Sequence, residues 1–259
     1  MFLPQLLKKI ETGEKLVALT CYEAAYARIL KNAGVDIMLV GDSLGMTVQG
    51  HDTTLPVTLD QMVYHTEAVR RGAGDAFVMA DLPFGSYQAS PAQAFASAAR
   101  LLAAGANMVK LEGGAIMVET VEFMTRRGIP VCAHLGLLPQ SVNMTGYRTQ
   151  GREHKSAQQL IEDAANLEAA GAEMVVLESI PALLASEVTN CLRMPTIGIG
   201  AGAECDGQVL VLNDLLGLTE KPPRFARNFM MGSTSIEDAV GRYVTAVKTG
   251  EFPATEHTF

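Results

Sequence analysis

Apolar positions along this chain fall into short unbroken runs separated by longer stretches of helical periodicity. The runs are LVALTCY ending near Thr20, DIMLVGD ending at Asp42, AFVMAD at Asp81, NMVKLE at Glu112, PVCAH at His134, EMVVLE at Glu178, PTIGIG and VLVLND. Short aliphatic runs of this kind read as parallel strands buried on both faces. Between them, YEAAYARILKNA, TLDQMVYHTEAVRRG, PAQAFASAARLLAA, MVETVEFMTRRG, SAQQLIEDAANLEAA and PALLASEVTNCL carry the spacing of amphipathic helices. Pro91 and Pro181 suit a first helical position.

One unit recurs. KNAGVDIMLVGD, LAAGANMVKLE and EAAGAEMVVLE each give a helix end, a glycine (Gly34, Gly105, Gly171) at the cap position, a strand and an acid. Repeated αβ units predict a wound α/β fold. Eight such strands predict a closed (β/α)8 TIM barrel, and no linker or charge block divides residues 1–259, so one barrel domain is expected. A further amphipathic helix near SIEDAVGRYVTAVK and a loose tail follow.

In such a barrel all strand C-termini open on one face, where active sites form. Asp42, Asp81, Glu112, Glu178 and His134 would therefore converge in one mouth. Carboxylates so crowded repel one another unless a cation or protons hold them. Asp42, Asp81 and Glu112 offer hard oxygen donors, which suit magnesium. Lys110 lies two residues before Glu112, on the same strand face and one step deeper. Its ammonium is placed to hold an anion; carboxylates nearby argue against a Schiff-base role. Glu178 is a candidate general base, and His134 a second base or a hydrogen-bond donor. The glycine-rich GIGAGAECDGQ has no GK[ST] and is no P-loop; a ligand cradle and a tight barrel turn both explain it.

A length of 259 residues matches the ~250 of an eight-fold barrel, and 48% hydrophobic with 19% charged residues is ordinary globular composition. The net charge of −8 speaks against nucleic-acid binding. No apolar run reaches the ~20 residues of a membrane span, and MFLPQLLKKIETGEK runs opposite to a signal peptide. Cys21, Cys132, Cys191 and Cys205 form no CxxC pair, which fits reduced thiols in a cytoplasm.

The segments LTCYEAAYARI, MLVGDSLGMTVQGHDTTLPVTLDQM, VMADLPFGSY, MVKLEGG, VCAHLGLLPQSV and IGIGAGAECDGQVLVLNDLLGL together resemble the ketopantoate hydroxymethyltransferase family, from about Leu19 to about Asn228. The resemblance implies transfer of a hydroxymethyl group from 5,10-methylenetetrahydrofolate, as co-substrate, to 3-methyl-2-oxobutanoate, giving 2-dehydropantoate. By motif it implies Mg2+ on Asp42 and Asp81, with Glu112 completing the site directly or through water. Ser43, Lys110 and His134 match the family's keto-acid contacts, with Asp42 and Asp81 beside them, and Glu178 its proton acceptor. It also implies a cytoplasmic homo-oligomer, commonly a decamer of two stacked pentamers. The long loops around His51 and Tyr147–Arg152 are positioned to help bind the folate. Two rivals remain at this point: a magnesium-dependent lyase or mutase of the phosphoenolpyruvate mutase/isocitrate lyase type, and a non-catalytic barrel scaffold. The chain lacks the KKCGH motif of isocitrate lyases, and unused buried charges in a scaffold would be costly.

Overall fold

A computed structural model describes residues 1–259. Eight parallel strands close into a barrel in chain order, with β8 returning to pair with β1. They are β1 Leu16–Thr20, β2 Ile37–Val40, β3 Phe77–Asp81, β4 Met108–Glu112, β5 Val131–Gly136, β6 Met174–Glu178, β7 Thr196–Ile199 and β8 Gly207–Leu210. Every strand residue but Gly136 and Glu178 is buried, which is why the sequence shows continuous apolar runs rather than alternation.

The helices are α1 Leu3–Glu11, α2 Ala24–Asn32, α3 Leu44–Thr47, α4 Leu59–Ala73, α5 Pro91–Ala103, α6 Val118–Thr125, α7 Val142–Thr145, α8 His154–Ala169, α9 Ala182–Cys191, α10 Leu212–Leu215 and α11 Ile236–Lys248. Helix α5 starts as its sequence demands: Pro91 at the first position, and the Ser90 hydroxyl accepting the Gln93 N–H at 3.2 Å. Gly34, Gly105 and Gly171, with φ of +89°, +107° and +95°, end α2, α5 and α8 in the left-handed turn expected of them. Pro181 is the residue before α9 rather than its first, one position off the expectation.

The last strand also differs from the sequence reading. The run VLVLND is half strand and half helix: β8 begins earlier, at Gly207, and the chain turns into α10 at Leu212. A Cβ at position 207 would lie 2.6 Å from the Leu16 carbonyl, so only glycine starts a strand there, and the Thr20 hydroxyl accepts the Leu212 N–H at 2.9 Å to start the turn. Apolar character alone does not separate such a strand from a helix. β7 and β8 are joined by residues 200–206 with no helix between, the tight barrel turn that is one of the two readings of this stretch. The glycine-rich stretch is this tight connection. Gly202 (φ +89°) packs where a Cβ would come within 2.7 Å of Ala182.

Helix α11 covers the wall where β8 meets β1. Its Tyr243 hydroxyl lies 3.0 Å from the Ala18 carbonyl and 3.2 Å from that of Gln208, bridging β1 and β8. Phe229, Tyr243 and Phe252 stack edge to face around it, with centroids 5.5 to 5.8 Å apart.

Candidate active site

The strand C-termini open into a cavity of about 950 Å³, lined by Asp42, Ser43, Asp81, Lys110, Glu112, His134 and Glu178 among others. Every site residue named from the sequence thus reaches one space. Register explains the grouping: Asp81 on β3 is level with Lys110 on β4, Glu112 with His134 on β5, and Glu178 on β6 with Gly136, two residues further up β5.

Lys110 Nζ lies 2.9 Å from Asp81 Oδ1, both side chains buried, so its ion partner is the carboxylate on the neighbouring strand. The ammonium is the one group that meets Asp81 Oδ1. Asp81 Oδ2 accepts the Asp42 N–H at 3.0 Å. Asp42 stands two residues beyond β2. Gly41 makes this possible: a Cβ there would come within 2.8 Å of Ser43 Oγ. The Ser43 hydroxyl is 2.9 Å from Tyr22 Oη.

Burial pushes the Asp42 carboxyl well above the usual carboxylate range, and the charges of Asp81 and Glu112 push it further. Burial alone would lower Lys110, but Asp81, Glu112 and Asp42 outweigh it and hold the ammonium charged to higher pH than usual. Burial and Lys110 likewise press His134 down, yet contacts with Glu112 and Glu178 leave it net raised. His134 Nε2 is 3.3 Å from Glu178 Oε2, and Nδ1 is 3.6 Å from Glu112 Oε1. The Glu178 side chain is 15% exposed against 3–6% for the Glu112, Lys110, Asp81 and His134 side chains, so it alone of these opens substantially to the cavity. Ser179 directly after it takes a left-handed φ of +49°, a strained conformation of order 1 kcal/mol that turns the chain off the rim.

The sequence reading did not single out Gln140, Tyr87 or Tyr22. Gln140 Nε2 donates to Asp42 Oδ2 at 2.9 Å, and its backbone N–H to Glu112 Oε2 at 3.0 Å. Residue 140 lies 98 positions from Asp42, and no local spacing links them. The one available signal was its place in the HLGLLPQSV stretch, just beyond β5.

A cation fits the donor set. Asp42, Asp81 and Glu112 are buried and bear hard oxygens, and Asp81 Oδ1 meets nothing but the Lys110 ammonium. No three acidic, histidine or cysteine side chains already form a closed cage. Magnesium does not ask for one, since it commonly takes one or two carboxylates and completes its shell with water and substrate oxygens.

Parallel strands, covering helices and an acidic mouth define a (β/α)8 barrel enzyme. The fold is that of phosphoenolpyruvate phosphomutase from Streptomyces platensis subsp. rosaceus, with a TM-score of 0.64 at 15% identity over 84% of this chain and 83% of that one. Sequence narrows this much further. The chain is 62% identical to the 3-methyl-2-oxobutanoate hydroxymethyltransferase of Thiobacillus denitrificans over 96% of its length and 95% of the relative's. It is 60% identical to that of Nitrosospira multiformis over 97% of each. A model of the ketopantoate hydroxymethyltransferase family matches residues 1–255, and the chain belongs to that family. The match takes in most of the tail after Asn228, which the motifs had left almost without likeness.

Proposed function

We propose that this chain, acting as one barrel domain, moves a hydroxymethyl group from 5,10-methylenetetrahydrofolate to 3-methyl-2-oxobutanoate, giving 2-dehydropantoate for pantothenate biosynthesis. The carrying observation is the mouth itself: four carboxylates around one buried lysine, with Glu178 at the open rim, in a chain of this family.

The acceptor is an α-keto acid with one hydrogen on C3, next to the ketone. Asp42 and Asp81 would hold magnesium, with Glu112, whose Oε2 is already engaged by Gln140, acting through water. When bound, magnesium supplies a Lewis-acid pull on the ketone that acidifies C3–H. Lys110, kept charged by its carboxylate neighbours, and the Ser43 hydroxyl bind the keto acid's carboxylate end. Glu178 takes the C3 proton. The C3–H electron pair becomes the enolate. Water adds to the CH2=N carbon of the opened folate, the C–N bond breaks to release formaldehyde and tetrahydrofolate, and C3 then adds to the formaldehyde carbon, whose oxygen takes up a proton to become CH2OH. His134 Nε2, 3.3 Å from Glu178 and without a hydrogen-bond partner, offers its N–H to the developing oxyanion.

Room for the folate lies outward, where His51, Thr54 and Tyr147 line the same cavity. The buried Thr54 hydroxyl has no protein partner, as suits a group that meets a ligand. We further place the enzyme in the cytoplasm as a homo-oligomer, on the family resemblance to decamers. No helix is long and apolar enough to cross a membrane.

The test is direct. Protein, magnesium, 3-methyl-2-oxobutanoate and 5,10-methylenetetrahydrofolate are followed by proton NMR. Appearance of 2-dehydropantoate, abolished by a chelator, is expected. Keto-acid turnover without folate would favour the lyase or mutase reading, and no turnover at all would favour a scaffold.

A further inference from the structure

Gln140 sits just past β5, in a single 3-10 turn at Pro139–Ser141, and is 6% exposed. All four hydrogen-bonding positions of its amide are used. Nε2 donates to Asp42 Oδ2 and to the Leu82 carbonyl, both at 2.9 Å. Oε1 accepts from Tyr87 Oη at 2.7 Å and from Gln88 Nε2 at 3.1 Å. The amide is locked in this sense, because the Leu82 carbonyl only accepts and a flip would set oxygen against oxygen there and at Asp42. The Gln140 N–H, in the first turn and so without a helical partner, donates to Glu112 Oε2 at 3.0 Å. Tyr87, 1% exposed, gives its proton to Gln140 and accepts the Glu112 N–H at 3.1 Å.

One residue thus grips a carboxylate oxygen from each of two acids on strands that are not neighbours, and Tyr87 ties it to the backbone of one of them. The grip takes Oδ2 of Asp42 and Oε2 of Glu112, leaving their other oxygens free of it. We propose that Gln140, backed by Tyr87, is a positioning residue that fixes the Asp42 and Glu112 carboxylates in the orientation that receives the divalent cation. This rests on the metal reading above. The neutral amide is suited to the task, since it orients two anions without cancelling the charge that draws the cation.

Manganese(II), visible by EPR as the free ion, serves as probe for an oxygen-ligand site. Gln140→Met keeps the length and removes the donors. It should raise the manganese dissociation constant roughly 10–100-fold, the range for lost partners of metal ligands. Tyr87→Phe should raise it less, and saturating metal should recover most of kcat in both. Circular dichroism and a thermal melt establish that each variant is folded. A folded Gln140→Met protein with unaltered manganese affinity overturns the inference. If that variant does not fold, an unaltered affinity in folded Tyr87→Phe overturns it instead. Failure of the unsubstituted protein to bind manganese or magnesium would remove the metal reading and this inference together, whereas binding that the variants leave untouched removes this inference alone.

Discussion

The two ends of the barrel treat charge in opposite ways. At the N-terminal end lysines and acids are drawn into a paired network. Lys9 bridges Glu14 at 3.1 Å and Asp36 at 2.6 Å, and Lys248 reaches Glu14 at 2.7 Å. Asp36 also takes the Val17 N–H at 3.0 Å, and Lys15 caps the carbonyls of Ala203 and Cys205 at 2.8 and 2.7 Å. At the C-terminal end seven carboxylates, Asp42, Asp52, Asp81, Glu112, Glu178, Asp214 and Glu220, line a cavity that holds only two lysines, Lys110 and Lys221. The floor is built for the folded state alone. The mouth is left short of positive charge, a deficit that costs stability in the empty protein and that a bound cation would make good.

Removing Lys110 should widen that contrast most. Lys110→Met strips the mouth of its buried cation and strands Asp81, which should cost about 3–5 kcal/mol in denaturant unfolding. Saturating magnesium should restore part of it. An unchanged unfolding midpoint without metal would mean that the mouth is not under electrostatic strain.

The two ends should also answer pH with opposite signs. Asp42 and His134 keep their protons to higher pH folded than unfolded, so the folded state binds more protons between 3.8 or 6.5 and the raised values. Stability from these groups is full below that window and lost as pH rises through it. Glu14 is lowered from 4.5, first by its hydrogen bonds with Lys248 and Lys9, so its contribution is present above 4.5 and lost as pH falls. Unfolding titrations of metal-free protein should therefore lose stability from mildly acid to alkaline pH, and magnesium should flatten that slope. A slope unaltered by magnesium would break the link between the buried acids and the cation. The smallest effect belongs to the floor: Lys248→Ala removes a half-exposed pair and should cost under ~1 kcal/mol, with catalysis unaffected.

Much of the mouth was legible in the sequence because strand chemistry is local. An apolar run ending in an acid places that acid at the rim; the repeated unit gave Asp42, Glu112 and Glu178, and the run AFVMAD gave Asp81. Barrel closure followed from the number of runs. What was hidden depends on contacts between distant segments. The Lys110–Asp81 pair needs the β3–β4 register, and the grip of Gln140 on Asp42 spans 98 positions. The β8 boundary was misjudged because VLVLND stays apolar across a strand-to-helix turn that Thr20, from the far end of the chain, sets by accepting the Leu212 N–H.

The central claim is that Glu178, at the rim of a cation-seeking mouth, removes the substrate proton. Its most direct test is exchange of the C3 hydrogen of 3-methyl-2-oxobutanoate in D2O with magnesium and no folate, for the unsubstituted protein and for Glu178→Gln. The account predicts loss of the C3 proton signal with the unsubstituted protein. In Glu178→Gln it predicts exchange slowed roughly 10²–10⁴-fold, the usual worth of a general base, while the keto acid still binds. Exchange at an undiminished rate in that variant would contradict it.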